Sequence, residues 1–172
     1  MRLNDCHSFA DFRELARRRL PSPIFNYIDG AADDETTYDR NTKSFENCDL
    51  VPNVLRGVEN IDMSVQVLGQ HLEMPIYCSP TALQRVFHHQ GENAVAAAAD
   101  KYGTLFGVSS LGTVSLSDIR KQYSGPQCYQ FYFHRDRELN QVMLENAKNA
   151  NVDVMMLTVD TITGGNRERD LK

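Results

Sequence analysis

The feature that most constrains this fold is an alternation of short apolar runs and helix-forming stretches that begins at Met74. Apolar side chains recur at helical spacing in the intervening stretches, whereas the short runs are nearly unbroken. The runs span residues 74–78, 105–108, 128–133 and 152–159, and the helical stretches span 91–102, 115–123 and 135–150. Strands that alternate with helices predict βαβ units and a parallel sheet, so we expect an α/β fold from residue 74 onward.

The residues before Met74 follow a different pattern. Ser8 and Asp11 are spaced as in a capping box, which predicts a helix that ends before the prolines at 21 and 23. An acidic cluster at 33–35 predicts the start of a second helix, which extends towards Phe45. Two weakly alternating segments, 64–68 and 71–73, predict a small hairpin across Gly69-Gln70.

Every predicted strand from Met74 onward is followed by polar side chains, or ends in them. Strands buried on both faces are normally apolar throughout, and the carboxyl ends of barrel strands form the active face. Turn formation and helix capping explain any one of these strand ends. Their occurrence after all four strands favours a face that binds a polar, planar ligand. The residues are Ser79, Thr81, Ser109, Ser110, Gln130, Tyr132, Thr158 and Asp160.

The last segment, TITGGNRERD, combines two glycines with a dense group of charges. A charged run of this kind is commonly a solvated surface. An arginine just past a barrel strand is also suited to bind a carboxylate, through its bidentate fork. From the residues alone, both interpretations of Arg167 stay open.

Charge and cysteine content exclude several classes of function. The formal net charge is -5 and no basic stripe is present, which argues against nucleic acid as a partner. No apolar run approaches the ~20 residues of a transmembrane segment. The four cysteines lack C-x-x-C spacing, so we expect no metal site and no disulfide framework. Reduced thiols indicate a cytoplasmic protein, with peripheral membrane association left open.

Six blocks of this sequence resemble one family, the FMN-dependent α-hydroxy-acid dehydrogenases and oxidases, which include glycolate oxidase and L-lactate dehydrogenase. They occur in the family's order and at nearly its spacing, from Phe9 to the end of the chain. The blocks are LPSPIFNYIDGAADDETT, MPIYCSPTA, HHQGENAVAAAA, VSSLGT, YQFY and LTVDTITGGNRERD. A second class of FMN barrels, the type 2 isopentenyl isomerases, shares the fold but lacks the last block.

The resemblance implies a (β/α)8 TIM barrel, a fold that takes about 250 residues. With about four strands, this chain is expected to be an incomplete barrel preceded by N-terminal helices and a small hairpin. We therefore expect one partial FMN-dependent hydroxy-acid dehydrogenase domain over 1–172. Within it, residues 1–73 would form the helices and hairpin, and residues 74–172 the first half of the barrel.

The resemblance also implies roles for particular residues around an FMN cofactor. Three residues would lie against the flavin ring: Pro80, Thr81 and Ala82. Three more would hydrogen-bond the flavin edge: Ser109, Gln130 and Thr158. Substrate would be bound by Tyr27, Tyr132 and Arg167. The catalytic residues would be Tyr132 and Asp160, with Asp160 pairing with the family's catalytic histidine and raising its proton affinity. None of the five histidines in this sequence matches that base.

The implied function is FMN-dependent oxidation of a small L-2-hydroxy acid, such as lactate or glycolate, to the 2-oxo acid. Alone, the chain is expected to be inactive, because the catalytic histidine and the phosphate-binding loops belong to the other half of the barrel. The alternative is a non-catalytic half-barrel that self-associates or binds a full-length partner. We expect a homo-oligomer, or completion by a second half-barrel. The sequence leaves open which 2-hydroxy acid is used and whether oxygen, quinone or cytochrome accepts the electrons.

Overall fold

The computed structural model describes residues 2–161 and 163–171, and these form two compact units. One unit takes in 1–58 and 163–172, and the other takes in 59–162. The helices are α1 (Phe9–Arg19), α2 (Ser22–Asp29), α3 (Thr36–Lys43), α4 (Gln84–Phe87), α5 (Glu92–Lys101), α6 (Leu116–Gln122), α7 (Arg137–Asn149) and α8 (Glu168–Leu171). The strands are β1 (Val65–Val67), β2 (Gln70–Leu72), β3 (Phe106–Ser109), β4 (Gln127–Tyr132) and β5 (Val154–Thr158).

The first unit is helical and begins with the predicted capping box. The amide of Asp11 donates to Ser8 Oγ at 3.3 Å, and the amide of Ser8 donates to Asp11 Oδ2 at 2.9 Å. Helix α2 was not predicted, because the two prolines were interpreted only as the end of α1. Pro23 instead lies in the first turn of α2, where a missing amide hydrogen breaks no helical bond.

The second unit contains a parallel sheet in the order β3-β4-β5, with Ser109 opposite Gln130 and Tyr132 opposite Thr158. The helices predicted between the strands are confirmed as α5, α6 and α7. The prediction of a full strand at residues 74–78 is wrong, since only Cys78 forms a bridge, with Phe106. Pro75 lies inside this segment and Pro80 follows it, and a proline has no amide hydrogen to extend a ladder.

The two faces of the sheet differ in character. The face covered by α5, α6 and α7 is an apolar core that includes Phe106, Val108, Tyr129 and Phe131. On the opposite face, Cys128 packs with Leu72 of the hairpin. Because side chains alternate along a strand, the side chains of Ser109, Gln130 and Thr158 share this second face. The second face is therefore apolar near the start of its strands and polar at their carboxyl ends.

The small hairpin is confirmed, with a turn one residue earlier than predicted. Val67 pairs with Gln70, so Leu68 and Gly69 form the turn. Both have positive φ, 51° and 78°, as a two-residue turn of this kind requires. In the described part of the chain, no helix combines the length and apolar character needed to cross a membrane.

Candidate functional site

A hydrogen-bonded row of polar side chains crosses the carboxyl ends of β3, β4 and β5. The hydroxyl of Ser109 donates to Gln130 Oε1 at 3.2 Å, and Gln130 Nε2 donates to Thr158 Oγ1 at 2.8 Å. The backbone amide of Leu111 donates to Ser109 Oγ at 3.1 Å, so that hydroxyl both donates and accepts a hydrogen bond. The structure thus brings together the three side chains that were predicted to bond the flavin edge.

The donors left in this row fit a flavin edge. Ser109 and Gln130 are 7% and 5% exposed, so their orientations are fixed inside the protein. Gln130 uses its carbonyl oxygen and one amide hydrogen within the row, which leaves its second hydrogen and the hydroxyl hydrogen of Thr158. Flavin ring nitrogens are tuned by hydrogen bonds of this kind, so the residues present suit FMN.

The segment with Pro80, Thr81 and Ala82 lies directly beside β3. A Cβ atom added to Gly107 would be 2.7 Å from Pro80 Cδ and 2.8 Å from Pro80 N. Only glycine at position 107 therefore allows this approach. The amide of Leu83 donates to the carbonyl of Leu111 at 3.1 Å, which ties the segment to the loop after β3. Sequence analysis missed Gly107, although a glycine inside a strand often marks such close contact.

Tyr132 and Asp160 lie at the same end of the sheet. Tyr132 is the last residue of β4, pairs in register with Thr158 of β5, and is partly exposed. Asp160 follows β5 by two residues and is exposed to solvent.

Tyr27 and Arg167 lie together in the helical unit. The Arg167 guanidinium carbon is 5.1 Å from the centroid of the Tyr27 ring, and Nη2 donates to the Tyr27 carbonyl. Arg167 Nε also donates to Asp170 Oδ2 at 2.6 Å, so one side of its fork is already held by a carboxylate. The guanidinium is therefore fixed in orientation by Tyr27 and Asp170.

A second ionic cluster in the same unit surrounds Asp29 and was not found from the sequence. Arg13 Nε and Nη2 donate to the two carboxylate oxygens of Asp29 at 2.5 and 2.8 Å. Arg169 donates to Asp29 at 2.8 Å and to Glu35 at 2.6 Å. The Arg13 guanidinium, with a further contribution from Arg169, holds the pKa of Asp29 below its usual value. No local pattern reveals this cluster, because Arg169 is 140 residues from Asp29.

Glu92 is the other functional candidate that the sequence did not single out. It is the first residue of α5 and has no solvent exposure. Its carboxylate accepts hydrogen bonds from Thr113 in the loop after β3. Within the described residues, no group of His, Cys, Asp and Glu side chains is arranged to hold a metal ion.

Comparisons with known proteins place the chain in context. Residues 16–172 match the family model described as FMN-dependent dehydrogenase. The chain is 35% identical to glycolate oxidase 1 of Oryza sativa subsp. indica over 162 residues, which are 94% of this chain and 44% of that protein. It is 34% identical to glycolate oxidase of Spinacia oleracea with the same coverage. The chain thus spans less than half the length of these curated relatives.

Solved structures also match nearly all of this chain and about half of their own length. A lactate oxidase of Pediococcus acidilactici, named as putative, superposes with a TM-score of 0.90 at 30% identity, over 96% of this chain and 47% of that one. A mandelate oxidase superposes with a TM-score of 0.88 at 31% identity, over 95% of this chain and 48% of that one. These oxidases are TIM barrels, and the match covers about half of each. The prediction of an incomplete (β/α)8 barrel is therefore confirmed.

Proposed function

Because this chain belongs to the FMN-dependent dehydrogenase family, we propose that it supplies part of the active site for oxidation of a small L-2-hydroxy acid to the 2-oxo acid. FMN is the cofactor of this family. The observation that carries the proposal is the buried row of Ser109, Gln130 and Thr158 at the active face. The similar proteins are named glycolate, lactate and mandelate oxidases, which supports a 2-hydroxy acid as substrate.

On the flavin side, the row provides donors whose directions are set before the ligand binds. Ser109 holds the Gln130 amide in one orientation, so Gln130 and Thr158 present an N–H and an O–H to the flavin edge. The segment of Pro80, Thr81 and Ala82 provides backbone and side-chain contacts to the ring. When bound, FMN takes up the two electrons that the substrate loses.

On the substrate side, Arg167 binds the carboxylate of the acid. Its permanent positive charge and planar donors match a carboxylate, and the contact with Tyr27 and the ion pair with Asp170 fix its direction. Tyr27 and Tyr132 provide phenol groups towards the carboxylate or hydroxyl of the acid. Asp160 stabilises the protonated form of a histidine base supplied from outside these residues.

Titration with FMN, followed by flavin fluorescence, tests the flavin site. Thr158→Val keeps the side-chain volume but removes the donor, so we expect about 10-fold weaker FMN binding, the effect of about one hydrogen bond. Thr161→Val is the matched control, since Thr161 is exposed and follows β5. Equal FMN affinity in the two variants would contradict the proposal. Turnover of L-lactate by the chain alone would contradict the expectation that it is inactive.

A non-catalytic half-barrel that self-associates or binds a full-length partner is the second candidate, and one observation favours it. In the described sheet, β5 pairs with β4 on one edge only. Two apolar side chains of β5 are exposed, Met155 at 44% and Leu157 at 53%, and Val159, which follows the strand, is exposed at 75%. Open strand edges and apolar patches both promote association. Light scattering distinguishes the cases, because a mass of one chain at all concentrations argues against self-association.

A further inference from the structure

Glu92 places a carboxylate inside the protein, where a charge is costly unless it is well bonded. The side chain has no exposure, and it begins the alanine-rich helix α5. Transfer of a polar group into the interior is unfavourable without hydrogen bonds, and transfer of a charge is more so. The bonds that compensate this cost indicate what the residue holds in place.

Those bonds reach the loop that follows β3. Glu92 Oε1 accepts from the Thr113 amide at 2.7 Å, and Oε2 accepts from Thr113 Oγ1 at 2.5 Å. Thr113 Oγ1 in turn accepts from the amide of Arg85 at 3.2 Å. The Thr113 hydroxyl therefore donates its proton to Glu92 and accepts a hydrogen bond from the backbone of α4.

Through Thr113, the same carboxylate is also linked to the segment that follows Cys78. The Arg85 amide, which donates to Thr113 Oγ1, belongs to α4 at the end of this segment. The amide of Leu83, two residues earlier, donates to the carbonyl of Leu111. Glu92 and Thr113 thus join two loops, residues 79–85 and 110–115, that share the carboxyl end of the sheet.

Two glycines allow the close packing of these two loops around Glu92. A Cβ atom on Gly112 would lie 3.0 Å from the Ser109 carbonyl oxygen and 3.4 Å from Glu92 Oε1. Gly91 has a φ of +53°, and a Cβ there would lie 2.6 Å from Arg85 Cγ. The backbone on both sides of the carboxylate is therefore closely packed, which fixes the loops relative to each other.

The geometry points to Glu92 as a positioning residue whose buried carboxylate fixes the two loops so that Pro80–Ala82 and Ser109 face one ligand. The identity of that ligand as flavin rests on the proposed function, whereas the arrangement of the loops does not. The contrasting interpretation is that Glu92 only stabilises the amino end of α5 through the helix dipole.

The electrostatics of Glu92 agree with a charged, acceptor-only role. Burial raises the pKa of Glu92, but hydrogen bonds from the side chain and backbone of Thr113 and from nearby amides bring it below the ordinary value. The group is therefore an ionised acceptor at neutral pH. In Glu92→Gln, one of the two oxygens becomes an NH2 group, which cannot accept from Thr113.

Amide hydrogen exchange and FMN titration of the 172-residue chain test this proposal together. For Glu92→Gln we expect at least about 10-fold faster exchange at Arg85 and Thr113, as loss of about one charge-assisted bond implies. FMN binding should weaken by a similar factor. Glu138→Gln is the matched control, because Glu138 is an exposed glutamate in the first turn of α7. Equal exchange in the two variants would overturn the inference.

Two substitutions at Thr113 test the same proposal if the Glu92→Gln variant does not fold. Thr113→Val removes the hydroxyl that accepts from the Arg85 amide, so exchange at Arg85 should rise, while Thr113→Ser retains the bond and should match the unmodified chain. Similar behaviour of both variants would contradict the inference. Faster exchange in a chain that binds no FMN would leave Glu92 as a positioning residue and reject only the flavin assignment.

Discussion

Two glutamines on β4 have buried side chains but very different bonding. Gln130 is bonded through both its oxygen and its nitrogen. Gln127 is 2% exposed, its Oε1 has no partner among the described residues, and its Nε2 has only a 3.5 Å contact with the Tyr123 carbonyl. The two residues therefore offer a matched comparison of a satisfied and an unsatisfied buried amide.

We expect Gln130→Leu to lower the free energy of unfolding by about 1–3 kcal/mol, because Ser109 loses its buried acceptor. Gln127→Leu should be neutral or stabilising, since it removes a buried oxygen that lacks a partner. Urea denaturation of both variants measures the difference. An equal loss of stability in the two would contradict the role assigned to the row.

At the residue scale, the sequence predicts the placement of residues that lie at the carboxyl ends of strands. Ser109, Gln130 and Thr158 could be predicted to lie together because parallel strands bring their carboxyl ends to one edge. Glu92 and Arg169 could not, since their partners are 21 and 140 residues away in the chain. The roles given to all these residues remain proposals.

At the scale of elements, Asp29 links helices that are far apart in sequence. Its side chain is 6% exposed and is bonded by Arg13 of α1 and Arg169 of α8. Arg13 and Arg169 lower the pKa of Asp29 from its ordinary value of 3.8. A carboxyl with a depressed folded-state pKa contributes its full stability above the unfolded value and loses it as the pH falls through the folded value.

We therefore expect Asp29→Asn to lower the free energy of unfolding at pH 7 by about 1.5–3 kcal/mol, as for bonds to charged groups. The difference in free energy of unfolding between this variant and the unmodified chain should become smaller as the pH falls below 3.8. Denaturation at several pH values measures this. Asp39→Asn breaks only an exposed pair with Lys43, so its effect should stay within about 1 kcal/mol. If the loss of stability in Asp29→Asn did not change with pH, stabilisation by the ionised Asp29 carboxylate would be contradicted.

Elements with clear periodicity were predictable, and elements set by local context were not. The helix from Arg137 to Asn149 follows directly from its apolar spacing and the cap at Asp136. The segment at 74–78 is equally apolar, yet it forms one bridge because Pro75 within it and Pro80 after it limit pairing. Apolar character alone therefore does not determine whether a segment enters the ladder.

At the scale of the whole molecule, the chain carries part of a barrel, and its division at residue 73 remains a prediction. Leu157 lies on the open strand β5 and is 53% exposed. If this surface associates, Leu157→Lys should shift the mass measured by light scattering towards one chain, because charges on an edge strand disfavour pairing. Leu55→Lys, at a fully exposed site in the helical unit, should leave the mass unchanged. Equal masses for both variants would exclude β5 as the associating surface.

The alternation of side chains along β4 also determines which changes in length this gene can tolerate. Cys128 and Gln130 face one side of the sheet, and Tyr129 and Phe131 face the helices. Insertion or deletion of one residue inside this strand would exchange the two sets, and would bury an amide among the helices while aromatic rings enter the ligand face. Length changes of two residues would preserve the sides and shift only the register. Natural variation in length is therefore expected in the loops around β4 and not within the strand itself.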